Sequence, residues 1–320
     1  MLALKLDSYL LKAGIELSHR SKENILRELT AWLNPSALGS GLVITQDGSY
    51  TLVSSAYGEP YHSISAGAIR ECLLKFVEPS TVLERSKVKS EVKLLDIGFG
   101  LGYNLAVAIK HLRDINPKVR IEIRSFEKEL LQDIPLLPEP YRQYHKLLLD
   151  GLPELEKDGI SFKLLIGDAR QKIKEVEGFG ADAVFHDGFS PYRNPELWSY
   201  DFLKEIKQAM AEDGFWVSYT SSLPVRKALR MLSFGIANSR SVGRKRSGTV
   251  ASLSLKESLG PGEIEKLNSS PYAIPLRDEN LKMEPLEILI DYRVRVELLK
   301  VAQGGIEPPT PRFSAGCSTN

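Results

Sequence analysis

The run Leu94-Leu95-Asp96-Ile97-Gly98-Phe99-Gly100-Leu101-Gly102 constrains this chain more than any other segment: it reads as a buried strand entering a glycine-rich turn that opens a helix. Glycines suit such a turn because the backbone must reverse sharply and admit a ligand with no Cβ in the way. Beyond Glu91 the same logic repeats, with short β-rich apolar runs alternating with longer helical stretches. We read strands at 93–97, 120–126, 162–166, 183–186 and 215–220. Helices are expected at 103–112, about 141–151, 169–176, 195–210 and 224–232. Runs at 236–242 and 250–255 would close the sheet as a final pair. This alternation predicts a doubly wound α/β fold whose mostly parallel, seven-stranded sheet ends in an antiparallel hairpin.

The flanks are less regular. Residues 22–33 read as a helix with Ser21 as N-cap and Asn34-Pro35 as the stop, and 42–45 and 50–54 flank the Asp47-Gly48 turn of a hairpin. A second helix is expected over 65–77, ended before Pro79. The expected division is an N-terminal helical and hairpin appendage over 1–85, a catalytic domain over 86–258, a C-terminal extension over 259–302 with a helix at 285–301, and a disordered tail over 303–320.

No stretch has the roughly 20 uninterrupted apolar residues of a membrane helix, and residues 1–10 lack the apolar core of a secretory signal, so a cytoplasmic protein is expected. Two isolated cysteines, Cys72 and Cys317, form neither a disulfide framework nor a zinc pattern, and the five histidines are scattered singly, so no metal is expected.

A dinucleotide fingerprint requires GxGxxG, whose third glycine allows close helix packing. This chain spells GxGxG, with Tyr103 in that third place, which is the spacing used for S-adenosylmethionine. Gly98, Gly100 and Gly102 would shape the cradle, and Asp96 would meet the amino-acid end of the ligand. Glu127 closes the second strand, where a carboxylate accepts two ribose hydroxyls. Asp168, followed by Ala169, comes after the third strand and is a candidate for the adenine amino group, with helix N-capping as its rival and compatible role. A purely structural strand-to-helix turn is the competing reading of the glycines.

The fourth strand runs into His186-Asp187-Gly188-Phe189-Ser190-Pro191-Tyr192-Arg193-Asn194-Pro195-Glu196-Leu197-Trp198. An acid leaving an apolar strand at the edge shared with the glycine turn is well placed to meet a transferred methyl group. N-methylation needs a free lone pair, so Asp187 is the candidate proton acceptor, with most of the rate arising from alignment. The bland alternatives are a strand-terminal turn acid for Asp187, core packing for Phe189 and helix initiation for Asn194-Pro195-Glu196.

Together with Tyr219-Thr-Ser-Ser-Leu-Pro-Val-Arg226 and Gly243-Arg-Lys-Arg246, these runs resemble the methyltransferase domain of MnmC-type tRNA-modifying enzymes over residues 46–255. The resemblance implies a Rossmann-like class I S-adenosylmethionine-dependent methyltransferase fold. It also implies N-methylation of the aminomethyl group of 5-aminomethyl(-2-thio)uridine at the tRNA wobble position. By motif, Gly98, Gly100, Gly102, Glu127 and Asp168 would hold S-adenosylmethionine, Asp187 would face the amine, and Phe189 and Pro191 would shape the uracil pocket, with Arg193 and Asn194 beside them. The fused members carry a flavin-dependent oxidoreductase domain that this chain has no room for, so no flavin is expected. The Glu59-Pro60-Tyr61-His62 run is also similar to aminopropyltransferases, which makes Tyr61 and His62 candidate substrate contacts.

Formal net charge is +1, yet residues 214–255 contain no Asp or Glu and seven basic residues: Arg226, Lys227, Arg230, Arg240, Arg244, Lys245 and Arg246. We expect this region, above all Arg244, Lys245 and Arg246, to hold tRNA phosphates, a solvated surface patch being the alternative. Two other functions remain open from the residues alone. One is a polyamine-type aminopropyltransferase or small-molecule N-methyltransferase; the other is a noncatalytic RNA-binding protein on the same fold.

Overall fold

The structure, a computed structural model, describes residues 1–34, 39–243 and 247–304. A two-stranded hairpin, β1 (Gly41–Ile44) and β2 (Tyr50–Val53), precedes the main sheet. The main sheet contains β3 (Glu91–Ile97), β4 (Arg120–Glu127), β5 (Glu154–Lys157), β6 (Ile160–Ile166), β7 (Ala181–His186), β8 (Met210–Ser218), β9 (Gly235–Asn238) and β10 (Thr249–Ser252). Their order is β5-β6-β4-β3-β7-β8-β10-β9. The five inner strands from β6 to β8 are mutually parallel, and β10 runs antiparallel to β8 and β9.

The expected doubly wound α/β architecture with its terminal antiparallel pair is present. To the seven anticipated strands the structure adds β5, antiparallel to β6 at the sheet edge. Its sequence, Glu-Leu-Glu-Lys, carries charge rather than an apolar run, as an edge strand tolerates, and so gave no strand signal.

Alternation along the strands explains the two faces. Leu94, Leu164, Phe185 and Val217 pack into one hydrophobic cluster with the helix Tyr103–Ile115, whereas their neighbours Leu95, Leu165, Val184 and Trp216 pack into the other. The second cluster also takes Leu6, Leu10, Ile25 and Leu29 from the first two helices, Leu2–Ala13 and His19–Leu33, and Ile288, Tyr292 and Val296 from the long helix Pro285–Ala302. Chain beginning and C-terminal helix therefore share one core. Residues 68–82 belong to the opposite face.

Several local boundaries differ from expectation for identifiable reasons. The N-cap of the helix beginning at His19 is Ser18, whose side chain accepts from Ser21 N, so Ser21 lies inside the helix. The segment expected as a helix over 65–77 is α-helical only at Ala68–Glu71, continues in wider π turns over Cys72–Val77, and ends in a 3-10 turn that includes Pro79. The stretch expected as one helix over 195–210 divides in two. Pro195–Trp198 is a 3-10 turn, Ser199 caps a new helix Tyr200–Gln208 by accepting from Phe202 N, and Met210 opens β8. No helix among the described residues is long and apolar enough to cross a membrane. The expected tail beyond Gly304 lies outside the described residues.

Candidate active site

Ligands of open α/β sheets bind outside the carboxyl ends of the parallel strands, and here that edge opens into a cleft of about 1950 Å³. The glycine turn forms its floor. Gly98, Gly100 and Gly102 all have positive φ, at 94°, 52° and 76°. A Cβ on Gly98 would meet the Asp187 carbonyl oxygen at 2.9 Å, and one on Gly102 would meet the Phe99 ring at 2.7 Å. Gly98 and Gly100 line the cleft, whereas Gly102 lets the turn fold over Phe99. The turn is further held by Gly98 N and Phe99 N, both donating to Phe126 O, and by His145. Because His145 Nδ1 accepts from Leu137 N, its Nε2–H donates to Leu101 O at 2.7 Å.

Glu127 lies beside this turn. Its Oε2 accepts from Gly100 N at 2.7 Å and its Oε1 from Lys128 N at 2.8 Å. Burial raises its pKa, against the lowering effect of those backbone donors. Each oxygen keeps a second lone pair, so the carboxylate suits a pair of hydroxyl donors. Asp168 also lines the cleft, but its oxygens are engaged. It caps the helix at Ala169 by accepting from Arg170 N at 2.9 Å, and Arg170 Nη2 lies 2.7 Å from its Oδ2. Burial pushes the Asp168 carboxyl up, but the hydrogen bonds and charge of Arg170 outweigh it and the net shift is downward. The N-capping role is thus realised. Arg170 in turn reaches Asp278 and Met283 O, tying this corner to the C-terminal segment.

Asp96 is not on the cleft surface. It is 1% exposed, and its Oδ2 accepts from Ser125 Oγ at 2.6 Å beneath the turn. Burial holds its pKa well above the ordinary range, with Asp187 and Glu127 adding to the rise and Ser125 opposing it. This places it as a support of the turn, where direct contact with a ligand had been expected from its position in the motif.

Asp187 leaves β7 directly next to β3: its backbone N donates to Ile97 O at 2.9 Å. Its Oδ2 accepts from Asn104 Nδ2 at 2.7 Å, in the first turn of the helix that the glycines open. Burial pushes its pKa up to about 7; His62 and the Asn104 hydrogen bond act downward and the charge of Glu71 upward. His62 stacks on Tyr103 at 5.2 Å, and its Nδ1 lies 3.7 Å from Glu71 Oε2. Glu127, Asp187, His62 and His145, from four distant stretches, thus surround one turn.

The loop after Asp187 is anchored from behind. Trp198 Nε1 donates to Phe189 O at 2.7 Å, and Tyr219 OH donates to Gly188 O at 3.0 Å. Beneath it, His186 is fully buried, accepts from Trp216 Nε1 at 3.2 Å and has its pKa lowered by burial to about 3, so it is a neutral structural ring. Phe189, Arg193 and Asn194 line the cleft with Tyr61 and His62, while Pro191 is buried behind the wall. Arg193 Nη2 donates to Asn34 O, and Asn194 Nδ2 donates to Glu196 Oε1 at 2.7 Å. The sequence reading missed Tyr57 and Asn104 and did not assign Glu59. Asn104 sits in the Gly-Leu-Gly-Tyr-Asn run and could have been found there; Tyr57 and Glu59 come from the loop after the hairpin, whose reach no local pattern discloses.

The basic region needs correction. Arg226 is 3% exposed and interior: Nη1 pairs with Glu263 at 2.8 Å, Nε donates to Thr249 Oγ1 and Nη2 to Asn238 Oδ1. Lys227 donates to Leu267 O, and Arg230 pairs with Glu257. Three of the seven residues therefore fasten the C-terminal segment, and the acids paired with Arg226 and Arg230 lie just past residue 255; Arg226, being buried, does not belong to a phosphate-binding face. Arg240 is exposed. Arg244, Lys245 and Arg246 lie outside the described residues, although Gly243 lines the cleft.

The glycine cradle, the carboxylate beside it and the acid across from it fit S-adenosylmethionine. Comparisons agree. The family described as S-adenosyl-L-methionine-dependent methyltransferase matches residues 129–254. The crystal structure of MnmC2 from Aquifex aeolicus is 56% identical, covers 92% of this chain and 97% of its own, and superposes with a TM-score of 0.87. An uncharacterized protein of Methanocaldococcus jannaschii is 36% identical over 273 residues, 81% of this chain and 73% of its own. The tRNA 5-methylaminomethyl-2-thiouridine biosynthesis bifunctional protein MnmC of an Azoarcus species is 29% identical over 222 residues, and the match spans 34% of that protein's length. The chain belongs to the MnmC2-type family of S-adenosylmethionine-dependent methyltransferases.

Proposed function

We propose that this protein transfers a methyl group from S-adenosylmethionine to the exocyclic amine of 5-aminomethyl(-2-thio)uridine at the tRNA wobble position. The observation that carries this reading is the placement of Asp187, an acid with a pKa raised to about 7, against Gly98 of the cofactor turn. Bound there, the cofactor supplies an electrophilic methyl group on a cationic sulfur. Glu127 and the glycine turn would hold it, with Asp168 and Ala169 at the adenine end. Asp187 accepts a proton from the amine and directs its lone pair, and Asn104 fixes which carboxylate oxygen faces the nitrogen. The proton taken from the ammonium passes on to water before transfer. As the nitrogen–carbon bond forms, the carbon–sulfur pair leaves with sulfur, and the product leaves as the protonated secondary amine, so Asp187 need hold no second proton. Little strong-base chemistry is required; alignment provides most of the acceleration.

The similarity to MnmC2 and to bifunctional MnmC proteins supports tRNA as acceptor. The test is mass spectrometry of nucleosides from amine-bearing tRNA incubated with the protein and S-adenosylmethionine. A gain of one methyl on the aminomethyl nucleoside is expected. Turnover of free amines with none on that tRNA would overturn the reading in favour of a small-molecule N-methyltransferase.

A further inference from the structure

The loop between the hairpin and the helix at Ala68 reaches across the cleft and brings a second aromatic wall to the acceptor side. It is a short, well-fastened reversal: Gly58 N donates to Ser54 O, Ser54 N to Glu59 O, and Tyr61 N to Leu52 O, at 2.8 to 2.9 Å. The Glu59 carboxylate then grips the loop after Asp187, accepting from Ser190 N at 2.9 Å and from Ser190 Oγ at 2.6 Å. This grip brings Tyr57 face to face with Phe189, their rings 4.3 Å apart at an interplanar angle of 20°. Tyr61 meets the same Phe189 ring edge-on at 5.1 Å and faces Gly100 of the cofactor turn on its other side.

Tyr57, Phe189 and Asp187 all line the one cleft, and Phe189 is only two residues beyond the acid. An amine carried one carbon from a flat ring and presented to Asp187 must lay that ring beside Phe189. Unpaired bases are commonly bound by splaying them out and stacking them on aromatic side chains, an interaction worth about ten- to a hundredfold in affinity. The separation of 4.3 Å is one stacking distance, so a ring enters between the two if Tyr57 moves back by roughly the thickness of one more aromatic layer. Tyr57 is itself partly exposed, and its neighbours Ser55 and Ala56 are small and exposed.

We propose that Tyr57 is an acceptor-binding residue, forming with Phe189 a two-sided slot into which the substrate's pyrimidine ring inserts, and that Glu59 is the positioning residue that holds this slot against Ser190. The proposal rests on the tRNA reading above. It assigns half of the acceptor pocket to a loop outside the main sheet.

The test uses the full chain with amine-bearing tRNA and measures KM, kcat and, by calorimetry, cofactor affinity for wild type, Tyr57→Phe, Tyr57→Leu and Tyr57→Ala. Tyr57→Phe keeps the flat face and should stay within about twofold of wild type. Tyr57→Leu keeps bulk but loses the face, and both it and Tyr57→Ala should raise KM for tRNA about ten- to a hundredfold with cofactor affinity unchanged. Glu59→Gln should fall between wild type and Glu59→Ala in KM for tRNA. Wild-type KM in Tyr57→Leu and Tyr57→Ala, or a matching loss of cofactor binding, would overturn the slot. Absence of methylation by the wild-type protein would instead count against the tRNA reading itself, so the two failures are distinct.

Discussion

A Cβ placed on Gly98 would stand 2.9 Å from the carbonyl oxygen of Asp187, so the cofactor turn and the acceptor loop are in van der Waals contact through a hydrogen atom alone. Adjacency of β3 and β7 in the sheet imposes this approach, since Asp187 N donates to Ile97 O one residue before the glycine.

Gly98→Ala should therefore damage both halves of the site. The φ of 94° disfavours any side chain, and the added methyl meets backbone, which has no rotamer with which to yield. We expect a loss of about 1–3 kcal/mol in stability and at least about tenfold in cofactor affinity. Urea unfolding and calorimetry on the purified variant measure both; wild-type values in the two assays would contradict the contact.

For Asp187 the pH dependence has a definite sign. Its folded pKa, about 7, stands above its ordinary 3.8 because of burial. Folding therefore favours the protonated form: the carboxyl's contribution to stability is fully present below the ordinary value and is lost as pH rises through about 7. On the proposed mechanism the ionised form is the active one, so kcat/KM should rise with pH across the same interval. Asp187→Asn should cut turnover about 10²- to 10⁴-fold and remove that rise, while raising Tm at pH 8 by about 2–4 °C. A variant that keeps the wild-type pH profile would show that another group titrates.

Arg226→Ala is predicted to act on stability and not on RNA affinity. Deleting the buried guanidinium removes the donors to Thr249 Oγ1, Asn238 Oδ1 and the partly exposed Glu263, a change expected to cost about 1–3 kcal/mol. Thermal melts should drop markedly, whereas the salt dependence of tRNA binding, measured below the melting temperature, should keep its slope. A flattened slope would return Arg226 to the phosphate-binding role.

Much of the site was legible because its chemistry is local. The glycine turn, the acids at the ends of β3, β4, β6 and β7 and the Pro191 and Pro195 stiffeners are all written within a few residues of each strand, and the alternation of strands and helices orders those ends along one edge. Asp168 shows what local reading leaves out: its place and its N-capping were legible, but not that the Arg170 guanidinium also pairs with its carboxylate. Asp96 likewise belongs to the right motif and faces the wrong way, since alternation along β3 sends it to Ser125 beneath the turn.

By itself, the amino-acid order determined the alternation of the inner strands and helices, the positive-φ turn and the presence of an acid beside it, because these depend on backbone sterics and neighbouring residues. Only the folded chain decided that Glu59 grips Ser190 across 131 positions, that Tyr57 faces Phe189, and that Arg226 is interior. Those outcomes depend on which surfaces meet when the loop after the hairpin and the C-terminal segment close over the sheet. Burial and pairing across such distances arise from packing of the whole chain, for which a linear pattern holds no period to read.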